Sequence, residues 1–558
     1  MKSCLEKLLG FLRSSPLLTH IYRKLRDFLT PHTELEYTAK KLNPPNFPNK
    51  KSSILFATSI GAERGVWKLE TLLSKTMLYR GFRSDFLVCD KVLTGCQRCL
   101  YQAVKDEETF IKLGPNRLCD SCYDPLIKSA KILNENIISF GKFLNNEDFI
   151  NAKKLSLNLK FSEIINFHVD NIGIGEHALA GALRFFAIST LNENSEKEIL
   201  VLRRYFEAAY LTYLSASKLF SQNKYSVLVL HHGIYVPQGI LADVATAYNV
   251  RVVVWNIAYR KNRFIFSHDK TYHHELMEEP TSKWNKLNLD YEKEKQLDEY
   301  LLGRWYGKYD WINFQSEQPN TDLNSIVRKL NLDLQKPTIS LLTNVLWDAQ
   351  LHYPNNVFKN LLEWLFVTID HFIADQSKNL IIRIHPAEIR GRVKSRQPIY
   401  NEIVNKYPNL PNNIEIIRPE DNVSTYSLVD ISQTSLIYGT KMGVELTSRG
   451  IPVIVCGEAW IRNKGLTVDI ESKKHYLDLL DKAPLPPMDS AQILEAKKYA
   501  YHFFFRRMIP INALQPIRGW PPFKINVKDE TQIQEGNDSG LDVIVNGILH
   551  GSDFIYDE

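Results

Sequence analysis

The sequence predicts an α/β protein made of two successive parallel-sheet domains facing a common cleft. Three observations carry that expectation. Short apolar runs alternate with stretches of helical periodicity, a rhythm that implies parallel strands with helices on both faces. The rhythm occurs twice, and the two series are separated by a polar stretch ending in a composition break at Gln335-Lys336-Pro337. The length, 558 residues, exceeds what a single domain of roughly 150 residues accounts for.

Composition removes several classes of function. Hydrophobic residues at 44% and charged residues at 24%, with glycine and proline at 25 each, exclude wholesale disorder and collagen-like repeats. Lysine and arginine number 69 against 63 aspartates and glutamates, a balance of +6. That is too mild for an obligate nucleic-acid binder, so no nucleic-acid partner is expected. No apolar run approaches the roughly 20 residues of a membrane-spanning helix. No export signal with a continuous apolar core is visible, and a cytoplasmic protein is expected. Residues 1–50 read as an N-terminal amphipathic helical segment, with Leu5, Leu8, Leu9, Phe11 and Leu12 set against Lys2, Lys7, Arg13, Arg23, Lys24 and Arg26. Docking on the protein's own core is the first reading. Peripheral contact with the inner membrane face, by the basic side, is the second.

The first domain is placed at 51–335. Residues 53–58 form a buried-strand run, the loop Gly61-Ala62-Glu63-Arg64-Gly65 follows, and Val66 to Tyr79 has helical spacing. Residues 84–89 make the next strand and lead into a cysteine-rich insertion at about 90–125. A strand over 226–230 ends in His231-His232-Gly233, Gln238 to Tyr248 is helical, and 251–255 is another strand. The charged run at 290–298 reads as a solvated helical face.

Seven cysteines occur, and four of them form Cys96-x2-Cys99 and Cys119-x2-Cys122 with nineteen residues between. Two CxxC knuckles at that separation suit a four-thiolate tetrahedral zinc site, with an iron–sulfur cluster as the alternative. Disulfides are disfavoured in a chain without an export signal. Four sulfurs fill the zinc shell, so the metal is expected to be structural, and no catalytic metal is predicted.

The second domain is placed at 336–520. Residues 338–342 form a strand, 343–350 a loop, 357–374 a helix, and 380–384 a strand ending at His385-Pro386. Strands at 414–417 and 436–438, a helix over 443–449 and a strand at 453–455 follow. The segment 521–558 is acidic and turn-rich, and is expected to be a poorly ordered tail.

In open parallel sheets ligands bind outside the carboxyl ends of the strands, so the polar residues there are the site candidates. In the second domain they are Asn344, Asp348, Arg383, His385, Glu388, Thr434, Ser435, Tyr438, Gly439, Thr440, Lys441 and Glu445. The small polar run Tyr438-Gly439-Thr440-Lys441-Met442-Gly443 opens a helix, and its amides, hydroxyls and lysine suit a phosphate. His385 is placed to stabilise a departing phosphate, and Glu445 to reach a ribose. In the first domain His231, His232 and Tyr235 lie at one strand end and Asn256 at the next, with Asp269 and His273 beyond. Imidazoles, carboxylates and aromatic faces in this pattern suit sugar binding and acid/base work. Glu63 and Glu176 are further carboxylate candidates, with a helix N-terminal charge as the alternative role. There is no GxxxxGK[ST] loop, no GxGxxG after a strand and no GxSxG elbow, which removes the usual support for ATPase, nicotinamide and serine-hydrolase readings.

The runs Arg383-Ile384-His385-Pro386-Ala387-Glu388, then 434–446 from Thr434-Ser435 through Tyr438-Gly439-Thr440-Lys441 to Glu445-Leu446, then Gly450-Ile451-Pro452-Val453-Ile454-Val455 resemble bacterial capsule polysaccharide biosynthesis glycosyltransferases. This is the HP-motif group that includes Kdo transferases and sialyltransferase-like enzymes. The resemblance covers about 335–470 and implies a GT-B fold, two Rossmann-like domains across a cleft. It implies that His385, Ser435 and Thr440 contact donor phosphate and Glu445 the nucleoside. The chain departs from the sialyltransferase pattern in lacking a clear acidic-acidic-glycine motif, which leaves the catalytic base open. The resulting expectation is a glycosyltransferase that moves a sugar from a nucleotide-sugar donor to a glycan or lipid-linked glycan acceptor. His232 or Glu63 is the candidate base. His385, with Arg383 and Lys441, stabilises the leaving group, and His231, Tyr235, Asp269 and His273 meet the acceptor. A teichoic-acid-type polyol-phosphate transferase, a nucleotide-sugar epimerase and a non-catalytic scaffold with a degenerate fold are the alternatives.

Overall fold

The computed structural model describes residues 41–42, 53–104, 106–115, 117–304, 306–311, 319–330, 332–348, 356–517 and 521–557. The amphipathic segment expected at the N-terminus, apart from Lys41-Leu42, lies outside them. No helix among the described residues is long and apolar enough to cross a membrane.

The first lobe is built on β1 (Ile54–Ser59), β2 (Ser84–Val88), β3 (Asn136–Ser139), β4 (Val227–His231), β5 (Arg251–Ile257) and β6 (Arg263–His268). They are ordered β6-β5-β4-β1-β2-β3. β1 to β5 run parallel, and β6 returns antiparallel beside β5. Ile54 pairs with Ser84 on one side and Val227 on the other, so the sheet grows outward from β1 in both directions. Apolar side chains on its two faces feed two separate cores, as a sheet covered on both sides requires. The largest covering helix, Glu196–Gln222, starts where the Ser195 side chain accepts from the Glu198 N–H.

The second lobe repeats the plan. β7 (Thr338–Leu342), β8 (Asn379–Arg383), β9 (Ile414–Ile417), β10 (Thr434–Ile437), β11 (Val453–Val455) and β12 (Val468–Asp469) lie in the order β12-β11-β10-β7-β8-β9, all parallel. In each lobe the first strand is central and the fourth sits beside it on the side away from the second. This is the doubly wound order, and it puts a topological switch point between β1 and β4 and another between β7 and β10. The helix expected from Val357 begins at Leu361. Asn360, with extended backbone, caps it through the Glu363 N–H, and that cap decides the boundary.

The C-terminal segment corrects the expected domain plan. After the helix Ser490–Tyr501 the chain returns to the first lobe, where β13 (Ile509–Pro510) pairs antiparallel with β6. The helix Ser539–His550, capped by Asp538, then buries Leu541, Ile544, Val545 and Ile548 against the first-lobe core. Residues 521–557 are therefore a packed part of the first lobe. Acidic, turn-rich composition hid an apolar helix face. A further apolar cluster joins Ala258 and Ile265 of the first lobe to Leu342, Ile437 and Val453 of the second.

The cysteine insertion lies between β2 and β3. Cys89, Cys96, Cys119 and Cys122 line a cavity of about 20 Å³. Cys99 is buried and lies 3.8 Å, sulfur to sulfur, from Cys96. Among the described residues no three His, Cys, Asp or Glu side chains are arranged to hold a metal ion. The set expected from spacing is thus not assembled as such, and Cys89 takes the place on the cavity wall that Cys99 was expected to fill.

The return of the chain predicts the effect of Ile544→Ala. Removing this fully buried side chain costs about 2–4 kcal/mol, read as a lower denaturant midpoint, whereas an unpacked tail would leave the midpoint unchanged.

Candidate functional site

The two switch points face each other, and the loops above them form the site. In the first lobe the β1 loop carries Glu63, and β4 ends in His231, followed by His232. His232 has a left-handed backbone (φ 72°), as does Gly233 (φ 71°). A non-glycine residue there costs about 1 kcal/mol, and such strain persists where surrounding contacts enforce it. Here the His232 N–H donates to the Trp255 carbonyl of β5, and the two imidazoles lie 5.7 Å apart, His231 against the Trp255 ring and His232 against the Tyr235 ring.

The second lobe supplies His385 at the end of β8. Its own N–H donates to Thr343 Oγ1 at 3.0 Å, and its Nδ1 accepts from the Ala387 N–H at 3.0 Å. That second bond assigns the ring proton to Nε2. Burial, then the nearby Lys441 and Arg383 charges, push the His385 pKa down to about 3. The ring is a neutral Nε2–H donor rather than a cation. His231 and His273 are likewise neutral. Burial takes His231 to about 4 against the opposing pull of Glu63, and burial, then His274, takes His273 to about 3. His232 is driven well below the ordinary range by burial, then by His231 and Arg184.

Contacts between the lobes close the cleft. Glu63 pairs with Arg392 at 3.7 Å, and the Tyr235 hydroxyl reaches Asp348 Oδ1 at 3.5 Å. Lys441 sits over the Tyr259 ring at 4.9 Å, and Trp460 stands 5.4 Å from the His273 ring and 5.8 Å from those of Tyr259 and Tyr272. Arg184 is stacked between Tyr235 of the first lobe, at 4.8 Å, and Trp347 of the second, at 5.6 Å. Around this point the His231 Nδ1, His232 Nδ1, Asn344 Oδ1, Trp347 Nε1 and Arg184 Nε atoms are shielded from solvent without a hydrogen-bond partner. Water or a bound polar molecule satisfies such atoms in folded proteins.

Of the expected residues, Glu63, His231, His232, Tyr235, His273, Asn344, Asp348, His385 and Lys441 are gathered about the cleft. Thr440 adjoins Lys441 and spends its hydroxyl on the Met442 N–H. The remainder are corrections. Arg383 is 4% exposed and donates to the backbone carbonyls of Arg418, Asp421 and Val423, so it braces β8 against the following loop. Glu388 is turned to the Ile399 N–H, and burial raises its pKa to about 7. Thr434 and Ser435 are fully buried within β10, bonded to the Leu485 N–H and the Ser340 hydroxyl. Tyr438 donates to the Phe358 carbonyl. Glu445 is fully buried in an ion cluster with Arg304 (3.1 Å), Lys441 (3.5 Å) and the Tyr426 hydroxyl. Burial alone would raise its pKa, but Arg304 and Lys441 outweigh it and hold Glu445 ionised. Its carboxylate is committed to the lobe rather than to a ribose. Asp269 caps the amino end of β5 through the Val252 N–H, the opposite end of the sheet from the cleft. Glu176 occupies the first turn of the helix Ile174–Phe186, where a carboxylate complements the dipole. The helix after Lys441 is only six residues long, Met442–Thr447, which weakens the case for a helix-entrance phosphate grip.

Sequence reasoning missed Arg184, Trp347 and Trp460, which no motif marks. The one signal was a lone arginine in the otherwise apolar end of Ile174–Phe186. It also missed Glu70, fully buried beneath the site, which accepts from Thr58 Oγ1 and from Trp255 Nε1 and so ties β1 to β5.

No protein-family model matches the chain, and no match is found among curated proteins. Among solved structures it is similar to the beta Kdo 2,4 transferase KpsC of Thermosulfurimonas dismutans, at 13% identity over 51% of this chain and 82% of that one, with a TM-score of 0.34. It is also similar to the beta Kdo 2,7 transferase KpsC of the same organism, at 16% identity, 51% and 79% coverage and a TM-score of 0.30. A third is the UDP-GlcNAc 2-epimerase of Neisseria meningitidis bound to UDP-GlcNAc, at 10% identity, 80% and 93% coverage and a TM-score of 0.23.

Glu70 generates a pH prediction. Burial lifts its pKa from 4.5 to about 8 despite the Thr58 and Trp255 bonds. The folded state therefore holds the proton that the unfolded chain loses. Its contribution is complete below pH 4.5 and is lost as pH rises through about 8. Glu70→Gln should flatten the decline in stability across that window, measured by denaturation at a series of pH values.

Proposed function

We propose that the cleft is the site of a glycosyltransferase, which moves a sugar from a nucleotide donor to a glycan acceptor. The observation that carries this reading is the convergence, between two opposed switch points, of neutral imidazoles, cations and solvent-shielded polar atoms that lack partners. A crevice of this kind at the carboxyl ends of parallel strands is the usual place for a nucleotide-bearing ligand, and the aromatic wall of Tyr259, Tyr272 and Trp460 suits rings of a sugar or base.

In this reading the second lobe holds the donor phosphate through the His385 Nε2–H and the Lys441 ammonium. The acceptor enters from the first lobe. His232, neutral and held in its strained turn, takes the proton from the acceptor hydroxyl. The hydroxyl oxygen bonds to the anomeric carbon as the bond from that carbon to phosphate oxygen breaks. The phosphate leaves with the bonding pair, and the His385 donor and Lys441 charge stabilise it. Donor binding brings negative charge beside rings whose basicity burial has lowered. It thereby raises their readiness to accept a proton and couples deprotonation of the acceptor to the presence of donor.

The test is incubation of the full chain with CMP-, UDP-, GDP- and CDP-linked donors and glycan acceptors. Transfer of sugar without its phosphate is expected. Retention of phosphate on the product would instead identify a polyol-phosphate transferase, and alteration of the donor without acceptor an epimerase. His385→Ala should lower kcat by about 100- to 1,000-fold in a chain that still unfolds in one cooperative transition.

We also propose that the cysteine insertion takes a structural zinc ion, which fixes the β1 loop. The support is the double CxxC spacing, the placement of three of its four cysteines, Cys96, Cys119 and Cys122, on the wall of one small cavity with Cys89 as the fourth sulfur, and the Ala62 N–H bond to Cys122 Sγ at 3.3 Å, which ties the insertion to the loop carrying Glu63. Metal analysis of purified protein should find about one zinc per chain, lost on Cys96→Ser. Iron in its place, or no metal, would overturn the assignment.

A further inference from the structure

The proposed transfer accounts for His385, Lys441 and His232 but leaves Arg184 without a task. Arg184 lies in the last turn of Ile174–Phe186, where the helix dipole favours a cation. Its guanidinium is stacked on two aromatic rings, one from each lobe. Among the described residues no carboxylate pairs with it, and its Nε is shielded from solvent without a hydrogen-bond acceptor. The carboxylates nearby are engaged elsewhere: Glu63 with Arg392, and Asp348 with the Tyr235 hydroxyl. Residues 349–355, which follow Asp348, contain no acidic side chain. Arg184 is partly exposed, and a guanidinium with no carboxylate partner and a shielded Nε is a ready partner for an anion. The indole Nε1 of Trp347, a donor that accepts nothing, is likewise without a partner.

We propose that Arg184 is a second anion-binding point of the cleft, taking an oxyanion of the sugar substrate on the first-lobe side of His385, with Trp347 Nε1 as a further donor. The inference deepens the glycosyltransferase reading and rests on it for the word substrate. The planar fork of arginine matches the two oxygens of a carboxylate or of a phosphoryl group. Because the stacked rings come from different lobes, an anion bound here would hold the lobes closed.

The experiment is calorimetric titration of the full chain, wild type, Arg184→Gln and Arg184→Lys, with glucuronate, with inorganic phosphate, and with CMP and UDP. Wild type should bind at least one of the two simple anions. Arg184→Gln should weaken that binding about tenfold or more, and Arg184→Lys, which keeps charge but not the fork, by less. Nucleotide affinity should be unchanged in both. Loss confined to glucuronate identifies a sugar acid as the source of the anion, and loss confined to phosphate identifies a phosphoryl group. The proposal is overturned if neither anion binds wild type, if the variants bind the anion as wild type does, or if nucleotide affinity falls in parallel. Should Arg184→Gln fail to fold, Arg184→Lys alone decides. If wild type binds an anion through Arg184 but no nucleotide, the transferase reading falls and the anion point stands.

Discussion

Adjacent parallel strands whose crossovers depart to opposite faces leave an unfilled crevice above their carboxyl ends, and the molecule is arranged around two of these. One lies between β1 and β4, the other between β7 and β10. Each by itself is an open notch. Set mouth to mouth they make an enclosed space lined by loops, while the rigid sheets behind supply position. The shared apolar cluster of Ala258, Ile265, Ile437 and Val453 fixes that opposition, and the polar contacts of Glu63, Tyr235 and Lys441 trim it.

Charge is distributed unequally through this frame. Behind the cleft, Arg304 pairs with Glu445 and Asp310, so burial is tolerated and Glu445 stays ionised, while Lys441 links Glu445 to the cleft-side ring of Tyr259. At the mouth the imidazoles are neutral because enclosure makes their charged forms costly, and Arg184 has no counter-ion among the described residues. The cleft is therefore short of negative charge. An anionic ligand would supply what the protein omits, and binding and proton affinity are linked for that reason.

Strand–helix rhythm made the two-sheet plan legible, because buried parallel strands are short apolar runs whatever their partners. The strand-end rule then located His231, His232, Asn344, Asp348 and His385. It failed for Arg383, Thr434, Ser435 and Glu445, since polarity near a strand end says nothing of which way a side chain turns. Ser435 satisfies Ser340 inside the sheet, and Arg383 satisfies loop carbonyls. Such local bonds are invisible to spacing. Arg184 could not be placed at all, because its neighbours Tyr235 and Trp347 come from distant parts of the chain and meet only when both lobes are formed. The C-terminal helix was missed for a similar reason: its partners lie more than four hundred residues upstream, around Leu69 and Leu73.

The return of residues 509–550 to the first lobe makes the second an insertion rather than an appendage. Both ends of β7–β12 are tethered to the same body, one through the segment before Pro337 and one through Tyr501–Ile509. Two tethers restrict swivelling far more than one, leaving a narrow rocking motion as the natural mode of opening. They also mean that the second lobe is a cassette, removable by two cuts, while severing the chain once after Ile470 would orphan the edge of the other sheet.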